Sequence, residues 1–159
     1  MHKLLETYIL LSEKTSNILI MTPNDFKLQD INLGDTVSFN RTWDASDIEI
    51  FAELSGDMNP LHMDDEYAKT TKFGKRVVHG MLVGSLCSKL VGMYLPGKRC
   101  LYLTQSLSFK KPVYIRDTVM VTGTVTSKSE VTGVLSIAIT ITRENDSLIE
   151  GEAQVQVLP

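Results

Sequence analysis

Asp57 and His62 stand five residues apart in Phe51-Ala52-Glu53-Leu54-Ser55-Gly56-Asp57-Met58-Asn59-Pro60-Leu61-His62, where an apolar, helix-like run ends. Such a pair can share one proton-transfer task at neutral pH, because imidazole titrates there and a carboxylate can orient or complement it. Gly56 and Asn59-Pro60 are turn chemistry, so both side chains are expected on a bent backbone and not on a plain helix face. Asn59 is expected to shape that bend through side-chain bonds to nearby backbone, and so to set Asp57 against His62. The chemistry is that of an acid/base enzyme. It requires a pocket and a group that stabilises developing negative charge.

The chain around this segment has 159 residues, enough for one domain with a sizeable core. Its 43% apolar and 22% charged residues are ordinary for a globular protein. A net charge of −3 gives no bulk electrostatic case for nucleic acid or an anionic membrane, so an anionic ligand must meet a local basic cluster. The two cysteines, Cys87 and Cys100, lack CxxC spacing and a companion His cluster, so neither zinc nor a disulfide framework is expected. Partly buried free thiols fit a reducing, cytoplasmic setting, and packing is their expected role.

Residues 1–20 read as an extension outside the functional core, and residues 21–159 as a single domain. The apolar run Tyr8-Ile9-Leu10-Leu11 is interrupted by Glu6, Ser12, Glu13 and Lys14. It is too short and too charged to span a bilayer, and it lacks the basic start and cleavage site of a signal peptide. Leu4, Leu5, Tyr8, Ile9 and Leu11 fall at helical spacing, which allows a short amphipathic helix. Met21 is an equally good start residue.

The elements that must position the pair follow from periodicity. Gly34-Asp35 is a turn before a strand over Thr36–Thr42. Asp44 or Ser46 caps a helix carrying Ile48, Phe51, Ala52 and Leu54, which Gly56 ends. Asp64, Asp65 and Glu66 open a second short helix through Tyr67-Ala68, with acids at the favoured end. Gly80 to Leu95, closed by Pro96-Gly97, is apolar on nearly every side and reads as one helix buried all round. Gly84, Ser85, Ser88 and Gly92 suit close contact with a surrounding sheet. Beyond Pro96-Gly97 the period becomes two: strands are expected at 101–109, 118–126, 133–143 and 148–157, with a turn at Asn145-Asp146-Ser147. Successive long strands with short polar turns argue an antiparallel meander. The class is α+β: a curved antiparallel sheet around a long buried helix.

The segment Phe51 to His62, continuing to Ala68, resembles the signature of the MaoC-like (R)-specific enoyl-CoA hydratases, which have the hot-dog fold. Val78-His79-Gly80-Met81, Leu95-Pro96-Gly97 and Gln105-Ser106-Leu107-Ser108-Phe109-Lys110-Lys111-Pro112-Val113 add further ordered matches. The resemblance runs from about Leu28 to Val157. It implies syn addition of water to a trans-2-enoyl-CoA, giving the (R)-3-hydroxyacyl-CoA. Asp57 and His62 match the family's catalytic pair, and which of them is the base stays open.

Gly80 matches the family's oxyanion donor, and it begins the long helix, where backbone N–H groups are unsatisfied and the dipole is positive. Ser88 matches a family position near the acyl pocket, with helix packing as an equal alternative. Val91 and Met93 are further acyl-pocket candidates, though core packing suits both. His79 is read as structural, because Asp57 and His62 already cover both proton steps. Lys110 and Lys111, with Arg116, are candidates for the phosphates of coenzyme A, and Lys72, Lys75 and Arg76 form a second basic cluster.

No metal-ligand set and no phosphate loop is visible. No cofactor is expected, coenzyme A being part of the substrate. The family is typically homodimeric. A close alternative is a 3-hydroxyacyl-thioester dehydratase working on acyl carrier protein. A catalytically silent acyl-thioester-binding domain is a third reading, against which Asp57, His62 and Gly80 argue. A thioesterase of this fold would carry a carboxylate in the central helix, and Gly80 to Tyr94 contains none.

Overall fold

The computed structural model describes residues 21–159; the extension expected over residues 1–20 lies outside the described residues. Strand β1 covers Thr36–Thr42, the range that the alternation marks. Helix α1 covers Ala45–Ser55. Its start is fixed by the Asp47 carboxylate, which accepts the Asp44 N–H at 2.9 Å. Its end is Gly56 in the left-handed region at φ 78°, where the Gly56 N–H bonds the Ala52 carbonyl at 2.8 Å. Ile48 and Ala52 are buried, whereas Leu54 is 83% exposed and falls outside the core face expected for it. Two short helices follow, α2 over Pro60–Met63 and α3 over Asp65–Thr70. Asp64 caps α3, its Oδ1 accepting from the Glu66 and Tyr67 N–H groups at 2.8 and 3.1 Å.

The segment expected as one helix from Gly80 is divided into α4, Gly80–Gly84, and α5, Leu86–Lys89, followed by a π turn at Leu90–Tyr94. The π turn is marked by the Leu95 N–H bonding Leu90 O at 3.0 Å. Burial all round does not hold. Met81 is 61% exposed, and Ser85 and Ser88 face outward. The sheet covers one side of this helical segment, so the small residues Ser85 and Ser88 do not meet it.

Strands β2 (Cys100–Phe109), β3 (Thr118–Lys128), β4 (Val134–Arg143) and β5 (Asp146–Val157) complete a five-stranded antiparallel sheet. Its order is β1-β3-β4-β5-β2. The expected meander therefore holds for β3-β4-β5 and fails for β2. Strand β3 has two edges, and β1 and β4 occupy them, so β2 pairs with the free edge of β5. The β4–β5 turn is also tighter than expected. Arg143 pairs with Asp146, so Asp146 and Ser147 belong to the strand and Glu144, at φ 52°, makes the turn with Asn145.

The core lies between the sheet's inner face and the helical segment, with Ile48, Leu90, Val119, Leu135, Ile137 and Ile141 in one cluster. Cys87 and Cys100 are free; burial pushes the Cys87 thiol up to about 11. Among the described residues, no helix is long and apolar enough to cross a membrane.

Helix and sheet come into close contact at Gly123 of β3. A Cβ there would lie 2.6 and 2.8 Å from the two methyls of Leu90, which is fully buried and has no room to turn aside. Gly123→Ala is expected to lower unfolding stability by about 1–3 kcal/mol through overpacking. Urea unfolding checks this, and an unchanged midpoint would show that the contact yields freely.

Candidate active site

Three short backbone pieces converge beside α4. The first is the bend Gly56–Asn59 that follows α1. The Asp57 N–H donates to Ser55 Oγ at 3.2 Å, and the Asp57 carboxylate accepts the Asn59 N–H at 3.2 Å. Asn59 caps α2 as its sequence position suggests, its Oδ1 accepting the Leu61 N–H at 2.9 Å. The second piece is α2 itself, which carries His62 just beyond that cap. The third is the extended strap Val77–His79. The Val77 N–H bonds Leu61 O at 3.2 Å, and the Val78 N–H bonds Val113 O at 2.8 Å.

Main-chain carbonyls set the state of both imidazoles. His62 Nδ1 lies 2.7 Å from the Val77 carbonyl. A carbonyl only accepts, so Nδ1 carries the proton, and in the neutral ring Nε2 holds a free lone pair. His79 Nε2 lies 2.9 Å from the main-chain carbonyl of Asp57, so that nitrogen is the donor and Nδ1 is bare. The two rings pack at 4.0 Å between centroids, tilted by 30°. The Asp57 side chain is half-exposed, and one carboxylate oxygen stands 4.0 Å from His79 Nε2. The side-chain ligand atoms of Asp57, His62 and His79 lie within 4.8 Å of one another.

That spacing suits a metal as well as a proton relay. However, the His79 nitrogen nearest Asp57 is occupied as a donor to the Asp57 carbonyl and presents no lone pair to the carboxylate. We therefore read the cluster as proton-handling.

A cavity of about 560 Å³ opens beside it, lined by His62, Gly80, Val83, Phe109 and Val113 among others. Asp57 is not part of that lining and adjoins it through His62, which is. Gly80 is the first residue of α4, and no side chain caps that end. A Cβ on Gly80 would come within 3.0 Å of the Phe109 ring, so glycine keeps the helix start open to the cavity.

The structure thus brings Asp57, Asn59, His62 and Gly80 together and adds His79, to which sequence reasoning gives no part in the proton steps. The signal for His79 is its place beside Gly80; its bond to a carbonyl 22 residues away is not visible in a sequence. Ser88 is exposed on α5 and lines neither this cavity nor the smaller one beside α1. Val91 is buried in the core and also lines neither. Lys110 and Lys111 do line the cavity, but each already faces a carboxylate: Lys110 with Glu150 at 3.7 Å, Lys111 with Asp146 at 2.5 Å. The hydrogen bond from Lys111 holds the Asp146 carboxyl below its ordinary range. Lys72 lines the same cavity, its ammonium 5.3 Å from the centre of the Phe73 ring.

Comparison with known proteins identifies the family. Residues 29–146 match the family model described as MaoC like domain. An (R)-specific enoyl-CoA hydratase of Rhodospirillum rubrum is 43% identical over 129 residues, covering 81% of this chain and 90% of that protein. The solved (R)-hydratase from Aeromonas caviae involved in PHA biosynthesis superposes with a TM-score of 0.79 at 41% identity, covering 82% of this chain and 99% of its own. The mitochondrial 3-hydroxyacyl-[acyl-carrier-protein] dehydratase FERN of Solanum lycopersicum is 35% identical over 127 residues, 77% of this chain and 75% of that protein. This chain is therefore a member of the MaoC-like family, and its antiparallel sheet on a central helical segment is that family's hot-dog fold.

Proposed function

We propose that this protein adds water across the trans double bond of a 2-enoyl-CoA, giving the (R)-3-hydroxyacyl-CoA, and catalyses the reverse dehydration. The observation that carries the reading is the Asp57–His62 pair: a carboxylate and an imidazole with a bare nitrogen, close together beside a cavity with apolar walls and lysines among its lining. In the hydration, an O–H bond of water breaks as its oxygen bonds C3. A proton is delivered to C2, and enolate-like charge passes through the thioester oxygen.

A neutral His62 with its lone pair on Nε2 is a competent base for the water. Asp57 orients that water and shares in the proton's passage to C2. Gly80 N–H receives the thioester oxygen: it opens the helix, lines the cavity and has no side chain in the way. Asn59 keeps the bend and the start of α2 in register. Lys110 and Lys111 would reach coenzyme A phosphates by exchanging their present carboxylate partners, and Lys72 faces the same cavity. The likeness to the tomato dehydratase supports a second reading, dehydration of a 3-hydroxyacyl chain on acyl carrier protein, with the same residues at work.

Two free cysteines support a cytoplasmic setting. Edge strand β2 exposes Leu101 and Leu103, each 46% exposed, which supports a homodimer that covers this edge.

Purified protein is expected to consume crotonyl-CoA with loss of the enoyl-thioester absorbance, giving the (R)-alcohol by chiral analysis. No turnover of enoyl-CoA substrates of any length would remove the hydratase reading, and selective turnover of carrier-protein thioesters would favour the second. Asp57→Asn and His62→Gln are each expected to lose about 10²- to 10⁴-fold in rate while staying folded, the usual cost of removing a general acid or base. Wild-type rates in either variant would take that residue out of the mechanism. Light scattering is expected to return the dimer mass; a monomer at assay concentration would contradict the edge-strand interface.

A further inference from the structure

His79 has a burial that packing alone does not explain. It is 1% exposed, and among the described residues only Ser136 joins it as a buried polar side chain. Its ring fills a slot between Phe51, at 5.0 Å, and His62, at 4.0 Å. A phenylalanine would fill such a slot without desolvating two nitrogens. One of those nitrogens, Nδ1, is buried and has no partner, an uncompensated cost that an apolar residue would not carry. The other is fully used: Nε2–H donates to the Asp57 main-chain carbonyl. The backbone of His79 is also fixed, because its carbonyl accepts the Val83 N–H at 3.1 Å as α4 begins.

We propose that His79 is a positioning residue for the reaction, tying the Asp57 bend to the start of α4 through its Nε2–H. The inference rests on the hydratase reading for its consequence in rate, though not for its geometry. Asp57 sits in a bend with a half-exposed side chain; its N–H and carboxylate bond only neighbours in sequence, Ser55 and Asn59, and its carbonyl is held by His79 from across the fold. Removing that tie frees the carboxylate to move relative to the His62 ring and Gly80. Small misplacements of this kind reduce turnover without weakening the remote contacts that bind substrate.

Two variants separate the donor from the ring. His79→Phe keeps the ring and loses the donor; His79→Gln loses the ring and places an amide N–H near the Nε2 position. With folding verified by circular dichroism, His79→Phe is expected to lower kcat about 10- to 100-fold with KM within about twofold, and His79→Gln to recover most of the loss. In the Asp57→Asn background, His79→Phe is expected to add no further loss, since both changes act through one group. A folded His79→Phe enzyme with wild-type kcat, or a His79→Gln enzyme as slow as His79→Phe, would overturn the proposal, as would full additivity with Asp57→Asn. If the wild-type protein turns over no enoyl thioester, the hydratase reading fails by itself. The geometry is then tested by long-range ¹H–¹⁵N correlation, where His79 is expected as the Nε2–H tautomer and an Nδ1–H tautomer would overturn the tie.

Discussion

The strap Val77–His79 is the constraint on which the site depends. Three consecutive residues hold both members of the acid/base pair by main-chain and imidazole hydrogen bonds. Val77 accepts from His62 and donates to Leu61, so it fixes α2 and the tautomer of His62 together. His79 holds the Asp57 carbonyl and then starts α4, whose first N–H is Gly80. The strap is itself anchored at Val78, which bonds Val113. Buried backbone groups need partners, so these bonds would be costly to lose, and the geometry of the pair follows from them.

The anchor explains why the position of β2 matters to the site. Strand β2 lies at one end of the sheet, and β3 lies beyond β5 and β4. The linker from Lys110 to Asp117 must therefore cross three strand spacings, roughly 14 Å. Crossing that span carries Val113 and Tyr114 past the strap, where Tyr114 bridges Val77 and Val113 accepts from Val78. A tight β2–β3 hairpin would remove this crossover and with it the floor of the cavity. The lysines in the linker line the cavity for the same reason.

Local chemistry is legible in the residues. The strand Thr36–Thr42 follows from alternation, α1 from an acidic start and a left-handed glycine, and the capping role of Asn59 from Asn-Pro. Asp57 and His62 stand out because turn chemistry lies between them, though the fold leaves only Asp57 on the bend and puts His62 on the short helix α2. What depends on distant pairing is not legible. Nothing in the spacing of 101–109 says that β1 will occupy the edge of β3, so periodicity alone places β2 beside the wrong neighbour. Apolarity from Gly80 to Leu95 does not reveal that the sheet covers only one side, nor that the backbone loosens into a π turn at Leu90. The role of His79 is hidden because its two partners, Asp57 and His62, come to it through the fold and not through sequence proximity. Ser88 matches a family position, yet the fold turns it outward, and Val91 packs into the core, the role that its apolar side chain suits.

A crystal structure of the Asp57→Asn variant with crotonyl-CoA tests the central claim most directly. The thioester oxygen is expected at the Gly80 N–H. C3 is expected to face His62 and the substituted side chain at position 57, with room for one water about 3–3.5 Å from it, in the cavity bounded by Phe109 and Val113. An acyl chain seated instead in the second cavity, against Ile50, Leu54 and Leu82, with Gly80 unengaged, would contradict the account.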